Sequence, residues 1–413
     1  MEAADHHSTN ETEDRPAPPR PLDGIRVLEM GQLLAGPFAA TVLAYFGAEV
    51  IKVEPPGVGD PIRTWRVLDQ GTSLWWYSLG RNKKCVTLDL RCDEGRALAR
   101  RLIAETDVLI ENFKPGTLEK WGLAPDELRR ENPRLLVARV SGYGQTGPYA
   151  QYPGYASVCE GVGGLRYVNG RPGEVPVRAN LSLGDTLAGL HAALGIALAL
   201  LDRERRKPAT GQTVDVAITE SVFNCLEAVV PEFDRFGLVR APSGSTITGI
   251  VPSNAYPTSD GRHVILGANG ESNYRRLMRA IGREDLALDL RLQTNAGRVE
   301  NQERVDGAIA EWTARRTAEE AIAAMRAADV PAGSIYSVAD MFADPQYLAR
   351  DLFETVETPT GPLKIPAILP KLGDTPGRTQ WAGPALGAHN REVYGRLGLS
   401  DEDLADLAAR GVI

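Results

Sequence analysis

The 413-residue chain is poor in the residues that make staples and metal centres. Its four cysteines (Cys85, Cys92, Cys159 and Cys225) form no CxxC pair, so they read as thiols of a reducing compartment rather than a disulfide frame. None of the five histidines (His6, His7, His191, His263 and His389) has an acid or histidine partner in a pattern that suggests metal binding, so no metal is expected. Basic charge is not in excess: 46 Lys and Arg face 54 Asp and Glu, a net charge of -8, which does not suggest a nucleic-acid partner. No GxGxxG follows the first strand, and neither GxxxxGK[ST] nor GxSxG occurs. Residues 1–20 lack an apolar core and are rich in charge, Pro, His and Thr, which reads as a disordered tail, not a targeting signal. The apolar run 188–200 is too short and too rich in Ala and Gly for a membrane span. A cytoplasmic protein without a membrane partner is expected.

What is present is ordinary globular composition, 43% apolar and 24% charged, in a chain long enough for about two domains. Residues 25–30 (IRVLEM) read as a strand, 35–46 as a helix ended by Gly47, and 50–53 as a second strand closed by Pro55-Pro56-Gly57. The alternation continues with strands at 85–90, 108–110 and 135–140 and a helix at 93–105. Such apolar strands suit a parallel sheet covered on both faces, with polar and glycine-rich ligand loops following the strand ends. A strand at 213–218 and a helix at 219–230 come next. The texture then turns small, polar and turn-rich near 240–254, where a new domain begins between 225 and 250. Residues 274–327 read mostly helical. Residues 353–356 and 363–365 flank a Pro-Thr-Gly hairpin, and 389–397 and 401–409 read as terminal helices.

The run 180–203, NLSLGDTLAGLHAALGIALALLDR, carries a single acid at its mouth, Asp185. As a helix cap or first-turn acid, Asp185 would complement the helix dipole. As a carboxylate held against a crowded small-residue surface, it would be a nucleophile or base. Two readings likewise attend the turn GQLLAG at 31–36: a tight turn, or backbone N–H groups offered to an anion. The basic groups Arg63, Arg66, Arg81, Lys83, Lys84, Lys114 and Lys120 are either a solvated face or contacts for a polyphosphate cofactor.

Several long segments, in order along the chain, carry a resemblance. They are PLDGIRVLEMGQLLAGPFAATVLAYFGAEVIKVEPPGVGD, RNKKCVTLDL, DVLIENFKPGTLEKWGL, VSGYGQTGPY, NLSLGDTLAG and DVPAGSIYSVADMFADPQ. Together they resemble the family III coenzyme A transferases, of the formyl-CoA transferase and carnitine CoA-transferase type, over residues 21–413. The resemblance implies an α/β fold: an open Rossmann-like parallel sheet in a large domain built from both chain ends, a smaller α+β domain, and two chains interlocked as a homodimer. The corresponding division is 21–225 and 336–413 for the large domain and 226–335 for the small one.

The resemblance also implies chemistry. Such enzymes move CoA from an acyl-CoA donor to a carboxylic acid acceptor, with the CoA thioester as substrate and no permanently bound cofactor. Gly184-Asp185 matches the catalytic aspartate of the family, which passes through a mixed anhydride and an aspartyl-CoA thioester. Tyr143 matches a tyrosine near the acyl group. Gly267, Asn269 and Gly270 lie in GANG, where the family has a glycine-rich loop over the active site, here with its central glycines replaced by Ala268 and Asn269. Asn82, Lys83, Asn112 and Lys120 match positions lining the CoA site. Leu34 stands where formyl-CoA transferases have a glutamine at the acyl group, and Pro55 where some members have a CoA-binding arginine. Both departures point away from a formyl or oxalate enzyme.

The pattern is most similar to members that use succinyl-CoA and a second dicarboxylate, of malate or citramalate type. Glutarate, itaconate, mesaconate, or an intramolecular shift within mesaconyl-CoA are the alternatives. A distal carboxylate needs a cation, and Arg63, Arg66, Arg81, Arg166 and Arg178 are the candidates. A relative of different chemistry, the α-methylacyl-CoA racemase, places a histidine in the region 142–156, where this chain has none.

Overall fold

The computed structural model describes residues 18–413. The tail expected at 1–20 therefore lies, but for its last three residues, outside the described residues. The chain divides into two compact units.

Of the described residues, the first unit takes 18–141, 189–216 and 353–413. Its sheet is built from β1 (Arg26–Glu29), β2 (Glu49–Glu54), β3 (Lys83–Thr87), β4 (Val108–Glu111), β5 (Leu136–Ser141) and β6 (Thr213–Ala217), in the order β3-β2-β1-β4-β5-β6. The pairs β1–β2, β1–β4, β2–β3 and β4–β5 are parallel. This is the strand order of doubly wound nucleotide-binding sheets. The strands are apolar and buried because helices cover them. On one face Leu28, Val53, Val86 and Leu109 pack with Leu98 and Leu102 of α2 (Asp93–Ala104). On the other, Val27, Val50, Ile110 and Leu136 pack with Ala40 and Leu43 of α1 (Ala35–Tyr45) and with Ile196 and Leu200 further on. The chain's end completes this unit. His389 Nδ1 accepts the Cys85 N–H at 3.1 Å, and Tyr394 donates to the Thr87 carbonyl at 2.7 Å.

The second unit takes residues 142–188 and 217–352. An antiparallel sheet of β7 (Ser253–Pro257), β8 (His263–Gly267) and β9 (Ala332–Ser334), with β8 central, packs on the helical stretch expected at 274–327. Val264 and Leu266 of β8 point into that core while Ile265 points out, the alternation of a sheet covered on one face. The expected boundaries at 225/226 and 335/336 group the chain differently. Residues 142–188 fall in the second unit because α3 (Ala156–Val162) packs on the helix Ile218–Phe223. Glycine permits that approach: a Cβ on Gly163 would lie 2.8 Å from the Thr219 carbonyl oxygen. The return to the first unit comes at Phe353, at the expected hairpin, which runs Phe353–Thr358/Gly361–Pro366.

The run around Asp185 is helix α4 (Leu183–Arg205). It is the one described helix long and apolar enough to cross a membrane by length and composition. One face is a core face: Ala192, Ile196, Ala199 and Leu200 are buried, and a Cβ on Gly189 would lie 2.8 Å from the Ala35 carbonyl oxygen. The opposite face carries Leu190, Leu194, Leu198 and Leu201, between 45% and 57% exposed.

Candidate active site

Each unit gathers one set of functional groups. In the first, strand order reverses between β1 and β4, and a crevice opens beyond the carboxyl ends of strands at such a switch point. The turn 31–34 after β1 is stitched to the loop after β4. The Gln32 N–H donates to Asn112 Oδ1 and Asn112 Nδ2 to the Gln32 carbonyl, both at 2.8 Å. Leu33 has a left-handed φ of 63°, a conformation that costs a non-glycine residue about 1 kcal/mol, and Asp60 holds its N–H at 3.0 Å. Beside the turn lies a cavity of about 220 Å³ lined mainly by apolar side chains. Met30, Gln32, Val53, Leu88, Phe113 and Trp121 border it, with Phe113 and Trp121 edge to face at 5.0 Å.

A buried ion network underlies that turn. The Lys52 ammonium meets Glu29 at 2.7 Å, Asp60 at 2.8 Å and the Gly31 carbonyl at 3.0 Å, so each of its protons has an acceptor. Lys83 meets Glu29 at 2.8 Å and the Pro37 carbonyl at 2.7 Å. Arg63 grips Glu54 with two nitrogens at 2.6 and 2.7 Å and stacks on Trp76 at 3.7 Å. Three cations thus face three carboxylates. Burial pulls the Lys52 ammonium down, but Asp60, Glu29 and Glu54 outweigh it and hold it above its ordinary value. Lys83, with burial dominant and Glu29 only partly offsetting it, is pulled below.

These placements give the sequence candidates definite positions. Arg81, Asn82 and Lys83 are neither a solvated face nor open to a phosphate. Asn82 bonds the Arg378 carbonyl and the Gln380 N–H, and Arg81 bonds Pro366 and Ser78. Asn112 shapes the turn with its amide. Leu34 is turned into a core with Ile62, Trp76 and Tyr77. Lys120 is exposed at the end of the short helix Thr117–Lys120, next in sequence to Trp121 of the cavity. Of the arginine candidates, Arg63 and Arg81 are consumed internally, and Arg66 stacks on Trp75 at 4.3 Å.

In the second unit, Asp185 stands in the first turn of α4. It is not the cap: the helix begins at Leu183, and among the described residues no hydrogen bond or ion pair reaches its carboxylate. Burial first, then the Glu160 charge, raise its pKa to about 6, against a smaller lowering by Arg178. A carboxylate so placed keeps its lone pairs for a reacting atom. Glu160 of α3 is buried, accepts the Gly184 N–H at 3.0 Å and pairs with Arg178 Nε at 2.7 Å. Glycine at 184 eases this approach, since a Cβ there would fall 3.0 Å from Glu160 Cγ and 3.1 Å from Ile218 and the neighbours would have to give way. Glu160 escaped notice in the sequence. Its signal is an acid inside the small-residue helix ASVCEGVGG, just as Glu29 and Lys52 are charges inside apolar strands.

Tyr143 follows β5, half-buried, edge to face with Tyr149 at 5.9 Å. The GANG loop follows β8 and caps the helix Glu271–Ala280. Neither Gly267 nor Gly270 has a positive φ, and no atom stands within 4 Å of a Cβ built on either. The loop is tied down by Arg298. This fully buried guanidinium donates to the Asn269 carbonyl, to Val251 at 2.8 Å and to Leu292 at 3.1 Å. Arg166 is half-buried near Ser157. Among the described residues no three His, Cys, Asp or Glu side chains converge as a metal would need.

Comparison with known proteins agrees with this arrangement. The model of the CoA-transferase family III matches residues 22–390. The chain is 47% identical over 399 residues to succinyl-CoA–D-citramalate CoA-transferase of Chloroflexus aurantiacus, covering 96% of this chain and 99% of the relative. It is 40% identical to the alpha subunit of that organism's succinyl-CoA–L-malate CoA-transferase, covering 95% and 92%. A CAIB/BAIF family protein from Brucella suis superimposes with a TM-score of 0.79 at 34% identity, covering 92% of this chain and 99% of that one. A nucleotide-type switch point in one unit and, in the other, a half-buried carboxylate without a partner among the described residues are thus set in a chain that matches one enzyme family almost end to end: it belongs to the family III CoA-transferases.

Proposed function

We propose that this CoA-transferase moves CoA from succinyl-CoA to a hydroxylated dicarboxylate of the citramalate or malate type, with Asp185 as nucleophile. The observation that carries the mechanism is the Asp185 carboxylate, raised to about 6 and without a described partner. The substrate class rests on the similarity to the citramalate and malate enzymes. Asp185 attacks the succinyl thioester carbonyl, the C–S bond breaks, and CoA leaves as thiolate from a mixed succinyl–aspartyl anhydride. The thiolate attacks the aspartyl carbonyl, and succinate departs with the bonding electrons of the broken C–O bond. The acceptor carboxylate then attacks the aspartyl-CoA thioester, and the returning thiolate takes the acyl group of the second anhydride, freeing Asp185. Every step exchanges one acyl bond for another, so no oxidant, metal or net proton is needed. Water must be kept from the anhydride and the thioester, which suits a nucleophile set in a small-residue surface.

The cavity beside Phe113 and Trp121 suits the adenine end of CoA, with Lys120 and Lys114 on the same loop for its phosphates. Arg166, half-buried and outside the first unit's network, is the cation of choice for a distal carboxylate, since Arg178 is held by Glu160. The acting form is a homodimer, for the leucine face of α4 needs a cover.

The test is a panel of acceptor acids with succinyl-CoA held constant, read as acyl-CoA products, beside mass analysis of the protein after donor alone. Citramalyl- or malyl-CoA as the leading product and a CoA adduct on Asp185 are expected. Unchanged transfer by Asp185→Ala would sink the mechanism, and a preference for monocarboxylates would sink the substrate class.

A further inference from the structure

We propose that Glu160 is a positioning residue for Asp185: clamped by Arg178, it fixes the first turn of α4 and sets a permanent negative charge against the attacking carboxylate. This rests on Asp185 being the nucleophile.

The geometry asks for an explanation of the charge. Glu160 is 1% exposed, and its Oε1 accepts the Gly184 N–H at 3.0 Å. A neutral glutamine would make that bond equally well. An ionised acid bonded to the residue beside a second, half-buried acid is unfavourable unless compensated. Arg178 compensates it, with Nε at 2.7 Å from Oε2 and Nη2 at 3.3 Å from Oε1. The clamp is also favoured by glycine at 184, since a Cβ there would press on Glu160 Cγ at 3.0 Å. An acid, an arginine and a glycine are therefore specified together around the nucleophile, where a helix start alone would need only a polar cap.

The consequence is electrostatic. The charged and titratable groups that bear on Asp185 are Glu160 from α3, Arg178 from the segment before α4, and the Cys159 thiol. Burial and Glu160 raise Asp185, and Arg178 lowers it. A more basic carboxylate is a stronger nucleophile. When Asp185 is acylated its charge disappears, and with it the repulsion from Glu160. That repulsion is present before attack and relieved during it, so it accelerates anhydride formation without touching substrate.

The test follows adduct formation on Asp185 with succinyl-CoA alone, as a function of pH, by mass analysis. In Glu160→Gln the midpoint of the acid limb should fall by about half a unit to one unit, so that at pH 5 the variant reacts about three- to sixfold better relative to its own plateau. Its plateau rate should be lower, with the donor KM within about twofold of wild type because no substrate contact is lost. In Arg178→Gln the midpoint should rise, since Glu160 then acts unopposed. A loss of packing alone would lower the rate without moving the midpoint. A midpoint unmoved in Glu160→Gln overturns the proposal. If that variant does not fold, a midpoint in Arg178→Gln that stays or falls does so. Absence of any adduct on Asp185 in the wild-type protein is a different failure, that of the nucleophile itself.

Discussion

Asp185, the proposed nucleophile, illustrates how a charge can be kept at the expense of stability. Its carboxyl is half-buried, without a described partner, and its pKa stands at about 6 against an ordinary 3.8. Folding therefore favours the protonated form. The destabilisation is absent below about pH 4, grows as the pH rises through 6 and is complete above it. Asp185→Asn removes the ionisation. It should stabilise the protein at pH 8 by on the order of 1–3 kcal/mol, with the gain vanishing toward pH 4. Urea unfolding at the two pH values checks this, and equal gains at both would show that charge burial is not the cause. The same substitution should reduce CoA transfer at least about a thousandfold. In the wild type kcat/KM should fall as pH drops through about 6, because only the carboxylate attacks.

At the scale of elements, the turn 31–34 depends on charges buried beneath it. Asp60 holds Leu33 in its left-handed conformation and balances Lys52. Asp60→Asn leaves that ammonium one carboxylate short and should cost about 3–5 kcal/mol. Because the turn borders the cavity, the KM for acyl-CoA should rise as well. Denaturant unfolding and steady-state kinetics separate the two effects, and an unchanged KM would detach the turn from CoA binding. These dependencies mark the limit of what could be read from the chain. The sheet strands and α1, α2 and α4 were legible because each is a long periodic segment bounded by Gly, Pro or a cap. Strand Ser253–Pro257 was not, since SNAYP has the composition of a turn and becomes a strand only by pairing with His263–Gly267. The helix expected at 219–230 is broken by Glu227 at φ 51° and resumes at Val229–Phe236. In the site, Asp185 was reached through the motif around it. Sequence spacing could not show that Lys83, Asn82 and Asn112 spend their polar atoms on backbone and acids far away along the chain, nor that Glu160 meets Gly184. Those are tertiary contacts of residues 24 to 298 positions apart.

For the molecule as a whole, the open question is what covers α4. One of its faces is core, which sets it apart from a membrane span. The other offers four leucines at i, i+4, i+8 and i+11, a continuous stripe along three turns. Small isolated exposed leucines are ordinary, but a row on one face of a helix marks an interface. In the proposed homodimer this row is buried against the second copy, which would fix the helix whose first turn carries Asp185, the proposed nucleophile. Light scattering should accordingly give about twice the chain mass of 44.6 kDa. Leu194→Glu with Leu198→Glu places two charges in the row and should shift the particle toward the single-chain mass. Transfer should fall with it, as the helix that carries Asp185 is no longer fixed. A wild-type protein running at the single-chain mass with full transfer activity would show that the leucine face is simply exposed. A double variant that keeps the doubled mass would show that the copies meet through another surface.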